Sequence, residues 1–244
     1  MFKSAALLTT VLATPCAWAQ DEGFKGDVGG MVTSASAIVQ GASAKTSVLP
    51  YVYGDWGRFY GRVDTFGVRT LALGQGHLEL ATRISTEGID ARKTARPGMG
   101  DRQTPTPVGL GTFQRTPLGG VFAYLMHDPQ SGGQFAELTW ALRFTLGAAS
   151  VYPQLGLQYR SAAYVNHLYG VTTAQSGATG WAPYQAGRSL LPQASLHMTV
   201  PLSGPWALQA QARYRWLDSA IHNSPLVDGR SQTSGVLALT YTLN

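Results

Sequence analysis

Cysteine is almost absent from this sequence: Cys16 is the single one in 244 residues. It lies in a stretch that reads as an export leader, with Lys3, an apolar core over residues 5–13 and the small-residue pattern Ala17-Trp18-Ala19. Thr14 and Pro15 do not resemble the small residues that precede a lipidated cysteine. Cleavage after Ala19 is therefore expected, leaving residues 20–244 as one mature domain. A mature chain without a thiol excludes disulfides, thiolate metal sites and a cysteine nucleophile. Charge is scarce as well, at 13% of residues with a formal balance of +5, and the cations form no stripe interleaved with aromatics. Nucleic acid is not an expected partner. Beyond the leader no run approaches the ~20 apolar residues that a membrane helix needs. Neither H-x-x-x-H nor a cluster of carboxylates occurs, so no metal and no other cofactor is expected.

What is plentiful is glycine (29 residues), tyrosine (11 residues) and an alternation of period two. The alternation is clearest over residues 206–216. Trp206, Leu208, Ala210, Ala212, Tyr214 and Trp216 share one face; Ala207, Gln209, Gln211, Arg213 and Arg215 share the other. Successive side chains on a strand point to opposite faces, so this is a strand with one apolar side. Ten residues at ~3.3 Å each, tilted ~40°, rise roughly 25 Å, the height of the apolar band on an outer-membrane barrel. Trp206 and Trp216 stand at the two ends of that band, where indoles favour the water–lipid interfaces. A buried strand of a soluble sandwich would not ordinarily carry two arginines and two glutamines on one face. The predicted fold is an all-β, transmembrane, antiparallel up-and-down β-barrel. Composition alone is shared with a secreted sandwich.

The same period marks residues 26–34, 46–53, 58–73, 77–85, 118–126, 134–146, 151–160, 163–173, 189–200 and 231–243. With residues 206–216 that makes eleven, and single-chain bacterial barrels have even numbers of strands. A tight bend near Asp64-Thr65 divides residues 58–73 and gives about twelve; merging weak segments gives ten. With both termini periplasmic, the links 54–57, 74–76, 127–133, 161–162 and 201–205 fall on the periplasmic side. The longer links 87–117, 174–188 and 218–230 then fall outside, as short-inside and long-outside barrels require.

On the polar faces, Glu79, Arg83, Glu137, Arg143, Arg160, Arg213 and Arg215 point to the presumed interior. They are expected to form an ion-pair network that plugs it, since only larger barrels leave a broad channel. The functional alternative is a narrow, anion-favouring pore. Residues 87–117 carry Arg92, Lys93, Arg96, Arg102 and Arg115. They read as a solvated mobile loop, or as a contact to lipopolysaccharide phosphates, which guanidinium groups grip in two places. Outer-membrane lipid is the expected surrounding of the apolar belt. Ser195 with His197, and His77 with Glu79, share strand faces and could suggest a hydrolase. Such i,i+2 pairs arise by chance on any polar face, so lumen hydrogen bonding is expected, no catalytic residue is assigned and no enzyme is expected.

Four segments follow one another in the second half: Leu168-Tyr169-Gly170-Val171-Thr172, Trp181-Ala182-Pro183-Tyr184-Gln185-Ala186-Gly187, Tyr214-Arg215-Trp216-Leu217 and Asn223-Ser224-Pro225-Leu226-Val227. Upstream stand Leu49-Pro50-Tyr51 and Gly57-Arg58-Phe59-Tyr60. In order and spacing these resemble the Y-F-G-V-T, L-P-x-Y-x-A-G, Y-x-x-L and D-S-P-L-V segments of the MltA-interacting protein (MipA/OmpV-like) family of the Gram-negative outer membrane. Two departures stand out. Residues 36–41 lack the family's P-x-Y-x-G pattern, and the chain ends in Leu243-Asn244 rather than in an aromatic residue. The resemblance implies an outer-membrane barrel acting as a scaffold between a lytic transglycosylase and a peptidoglycan synthase, a penicillin-binding protein. Other classes remain as alternatives: a small pore, a binder of solutes or antibiotics, and a surface adhesin. Trp181, Pro183, Tyr184, Gly187, Ser224, Pro225 and Leu226 lie on loops, where they contact a ligand or cap the barrel rim.

Overall fold

A computed structural model describes residues 23–90, 94–96 and 98–244. The leader, Arg92, Lys93 and Pro97 lie outside the described residues. The wall begins with β1 (Lys25–Ala35), β2 (Lys45–Trp56), β3 (Phe59–Arg62), β4 (Thr65–Leu73) and β5 (Gly76–Arg83). It continues through β6 (Val108–Thr116), β7 (Gly119–Asp128), β8 (Gly133–Leu142), β9 (Phe144–Leu146) and β10 (Ala149–Arg160). The last wall strands are β11 (Ser189–Pro201), β12 (Trp206–Trp216) and β13 (Ser231–Leu243). All pairings are antiparallel between neighbours, and β13 returns to β1, with Gly26 opposite Leu243 and Ala35 opposite Ser234. β9 continues β8 on the same partner and in one register, Ala141 facing Gln154 and Phe144 facing Val151. The break at Arg143 falls beside Pro153, which has no N–H to give a ladder. The ring therefore has twelve strand positions, and closure leaves no edge open to another chain.

Twelve is the expected number, reached with two corrections that cancel. Residues 163–173 are not a strand: α1 (Ala162–Tyr169) is a helix whose N-cap Ser161 accepts a hydrogen bond from the Tyr164 N–H. Its buried residues Tyr164, Val165, Leu168 and Tyr169 follow helical rather than alternating spacing. The missing strand is β6, inside the stretch expected to be irregular. Its lumen-facing positions hold Gly109 and Gly111, which hid the alternation. Gly111 is required there, because a Cβ would come within 2.4 Å of the Tyr124 ring. The expected split of residues 58–73 is present, with Val63 at its bend in a left-handed conformation (φ 62°).

The start of β1, the end of β13 and the turns 57–58, 74–75, 117–118, 147–148 and 202–205 share one end of the barrel. The links 36–44, 63–64, 84–107, 129–132, 161–188 and 217–230 share the other. Links near 127–133 and 161–162, expected among the short turns, thus belong to the end with the long segments. The shift follows from β6, which reverses the direction of every strand between it and the α1 segment.

Outward positions are apolar and bare. Val48 is 79% exposed, Leu155 64% and Leu138 55%, while the lumen-facing Glu79, one residue from the exposed Leu80, is 1% exposed. Each such side chain left in water forgoes ~1.5–3 kcal/mol of burial, so the belt demands an apolar surrounding. Trp206 (44%) and Trp216 (47%) both face outward at opposite ends of β12.

The apolar core lies at the end with the long segments. There α1, α2 (Thr173–Thr179), α3 (Ser219–His222) and the strap 84–107 fold over the barrel mouth. Val165, Leu168, Ile221 and Leu226 are fully buried and pack with Met126, Phe135 and Leu191 from the wall. Helix α1 comes close to the rim because Gly133 has no side chain: a Cβ there would meet the Tyr164 backbone nitrogen at 2.5 Å.

Candidate functional site

The lumen and the lid that covers it carry nearly all the polar side chains held in fixed positions. On β3 and β5, Arg62 grips Glu79 with both guanidinium nitrogens, at 2.9 and 2.8 Å. The Arg62 Nη1 also donates to the Tyr124 hydroxyl at 2.9 Å, and the guanidinium lies 4.2 Å from the Tyr60 ring centre. Deeper toward the lid, Arg83 donates to Glu137 at 2.7 Å, and Gln158 donates to the same carboxylate at 2.6 Å. Strand parity places each of these groups inside the ring. Low local dielectric strengthens such pairs and makes the loss of one partner costly.

The third cluster joins barrel to lid. Glu87 comes from the strap and bridges Arg160, at 2.8 Å, and Arg215. Burial pushes the Glu87 carboxyl up, but the Arg160 and Arg215 guanidinium groups outweigh it and hold the group at about 2. Glu87 and Arg62 were both missed as lumen residues by pattern. Arg62 sits beside the bend that obscured its parity. Glu87 lies on a segment without period, and its one sequence signal was charge balance: the interior-facing arginines outnumbered their glutamates.

Arg143 and Arg213 do not join the network. Arg143 faces inward at the short-turn end, is exposed, and forms no ion pair among the described residues. Arg213 lies in the lumen on β12, opposite Ser195 and Ser234, and forms neither hydrogen bond nor ion pair among the described residues. Ser195 and His197 are committed elsewhere: the Ser195 hydroxyl donates to Gln154 at 3.0 Å, and His197 contacts Thr199. They do not face each other as nucleophile and base.

The loop residues of the family segments build the lid. Trp181 is 5% exposed, and Arg96 of the strap lies over its ring at 5.5 Å. The Tyr184 hydroxyl donates to the Ala220 carbonyl at 3.1 Å, and Val171 and Tyr184 pair as an isolated bridge. Ser224 donates to the Tyr169 carbonyl at 2.7 Å; Leu226 is fully buried, with Pro225 half-buried beside it. Pro183 and Gly187 are exposed on the outer surface of the lid.

The strap itself is not a solvated loop. Arg102 donates to the Gly170 carbonyl and to Gln175, and the Thr106 N–H donates to the fully buried Asp128. With Arg96 and Arg102 turned into the lid and Arg115 on β6 near the opposite end, the strap does not present those three as one basic surface to lipopolysaccharide. The Arg96 and Arg102 guanidinium groups found carbonyl, amide and aromatic partners within the fold.

A closed antiparallel ring, an apolar outer belt and an ion-paired lumen define this chain as a transmembrane β-barrel protein. It belongs to the family described as MltA-interacting protein MipA, whose sequence model matches residues 28–243. The MltA-interacting protein of Escherichia coli (strain K12) is 29% identical over 130 residues, 52% of this chain and 52% of the relative. This chain thus spans about half the length of that relative. "Putative outer membrane protein YiaT" of the same strain is 24% identical over 207 residues, 83% of this chain and 84% of its own. Outer membrane protein Omp26La of Vibrio anguillarum is 26% identical over 161 residues, covering 64% and 62%.

Proposed function

We propose that this protein is an outer-membrane anchor for cell-wall enzymes, holding a lytic transglycosylase close to a penicillin-binding peptidoglycan synthase. The observation that carries this reading is the lid. A buried apolar core and the Glu87 bridge close one mouth of the barrel, so the fold is built to stand in the membrane rather than to pass solute. The name of the Escherichia coli relative supports a transglycosylase as one partner. Short turns face the periplasm in barrels of this class. On this chain that end exposes Lys25, Arg58, Arg115 and Arg143, a basic rim suited to an acidic partner surface. The test is crosslinking in intact envelopes with the tagged chain, against another abundant barrel tagged alike. Specific recovery of a lytic transglycosylase or a penicillin-binding protein is expected. Recovery equal to that of the control barrel sinks the reading.

A further inference from the structure

We propose that the lumen contains a binding site for a small oxyanion, a carboxylate or a phosphoryl group, centred on Arg213 and entered from the short-turn end. The proposal does not depend on the scaffold role.

The first support is a guanidinium without a direct partner. Besides the exposed, inward-facing Arg115 and Arg143, six arginines face the lumen: Arg62, Arg69, Arg83, Arg160, Arg213 and Arg215; Asp55 pairs with Arg69. Three glutamates take four of them, Glu79 with Arg62, Glu137 with Arg83, and Glu87 with both Arg160 and Arg215. Arg213 is left over. Of its electrostatic neighbours, Glu137 is held by Arg83 and Gln158, while Asp64 accepts from the Thr65 hydroxyl and acts on Arg213 without a direct hydrogen bond or ion pair. A guanidinium has five donors in a planar fork that matches carboxylate or phosphate oxygens two at a time. An interior one with no partner is costly unless water or an anion supplies one.

The second support is access. Along β10 and β11 the inward residues stay half-buried from the short-turn end as far as Gln154 and Ser195, whereas on β12 and β13 the inward Ala207, Gln209, Ala238 and Thr240 are packed at that end. Arg143 is open; Tyr152, His197 and Gln211 are half-buried; Gln154, Ser195 and Arg213 are half-buried in the next layer. Beyond that the lumen is packed: Gln193 is 7% exposed, Gln158 3% and Arg160 2%. Arg213, itself half-buried, therefore lies beside a half-buried polar strip on β10 and β11 that runs to the end away from the lid. The groups across and beside it include Gln154 and Gln211, whose amide N–H groups can turn toward a bound oxygen. The exposed, inward-facing Arg115 and Arg143 near the mouth attract anions toward it.

The experiment uses the refolded mature barrel in detergent and reads binding by calorimetry. Inorganic phosphate and acetate are the two probes, each against chloride at equal ionic strength. Saturable binding of at least one probe is expected. Binding of acetate alone assigns a carboxylate ligand, of phosphate alone a phosphate ester, and of both a general oxyanion site. Arg213→Gln is expected to weaken binding at least tenfold, and Arg213→Lys, which keeps the charge and loses the fork, severalfold. Arg188→Gln removes an exposed charge near the lid and should bind as the parent does. The proposal is overturned if neither probe binds beyond chloride, or if Arg188→Gln weakens binding as much as Arg213→Gln. It also falls if Arg213→Gln binds unchanged. Should that variant fail to refold, unchanged binding by Arg213→Lys overturns it equally.

Discussion

Glu87 is the residue on which the join between lid and barrel depends most. One carboxylate neutralises two buried guanidinium groups, so replacing it leaves both uncompensated in a low dielectric. Glu87→Gln is expected to cost about 3–5 kcal/mol, read by urea unfolding of the detergent-solubilised barrel. The pH dependence follows from the same group. Its folded value of about 2 lies below the ordinary 4.5, so its contribution is full above pH 4.5 and is lost as pH falls through about 2. Unfolding midpoints measured between those limits should decline for the parent and stay flatter for Glu87→Gln. A parallel decline in both would show that other carboxylates dominate. Little of this was legible beforehand. Parity on the strands reveals which arginines face inward, but a loop has no period to say where its glutamate goes.

At the scale of elements, the lid is organised by caps and close approaches. Ser161 starts α1, Thr172 and Gln175 form a reciprocal capping box on α2, and Asp218 caps α3. Each cap satisfies a backbone N–H that the helix leaves unpaired. Ser161 has a second task, accepting from the Gln134 N–H at 2.9 Å, which ties α1 to the first residues of β8. Ser161→Ala is expected to destabilise the lid by about 1–2 kcal/mol, and hydrogen exchange should show faster opening of α1 than of the wall strands. Equal protection in parent and variant would place the anchoring of α1 in its apolar face alone. The strand wall was legible wherever apolar and polar residues alternate, as in β5, β8, β10 and β12. It was illegible in β6, whose inward glycines make room for Tyr124. In α1, aromatic and β-branched residues mimicked a strand until the cap and the packing declared a helix.

At the scale of the whole molecule, the barrel is closed at one end and wet at the other. Planar-bilayer recordings should therefore show little steady conductance from the parent chain. Glu87→Gln, or removal of most of residues 84–107, should raise it by loosening the lid. Large steady conductance from the parent would mean that the lid does not seal.

The chain's own pattern determined that it crosses a membrane as β-strands and that charge collects inside. The cause is local: a strand shows one face to each side, so unbroken alternation assigns wall residues to lipid or to lumen. What only the tertiary structure decided is how the loops and charges meet. The strap reaches Arg160 and Arg215 through Glu87, the family segments fold into a lid instead of open loops, and Arg213 is left without a partner. Those outcomes depend on contacts between residues up to 128 positions apart, fixed by ring closure rather than by any local preference of the chain.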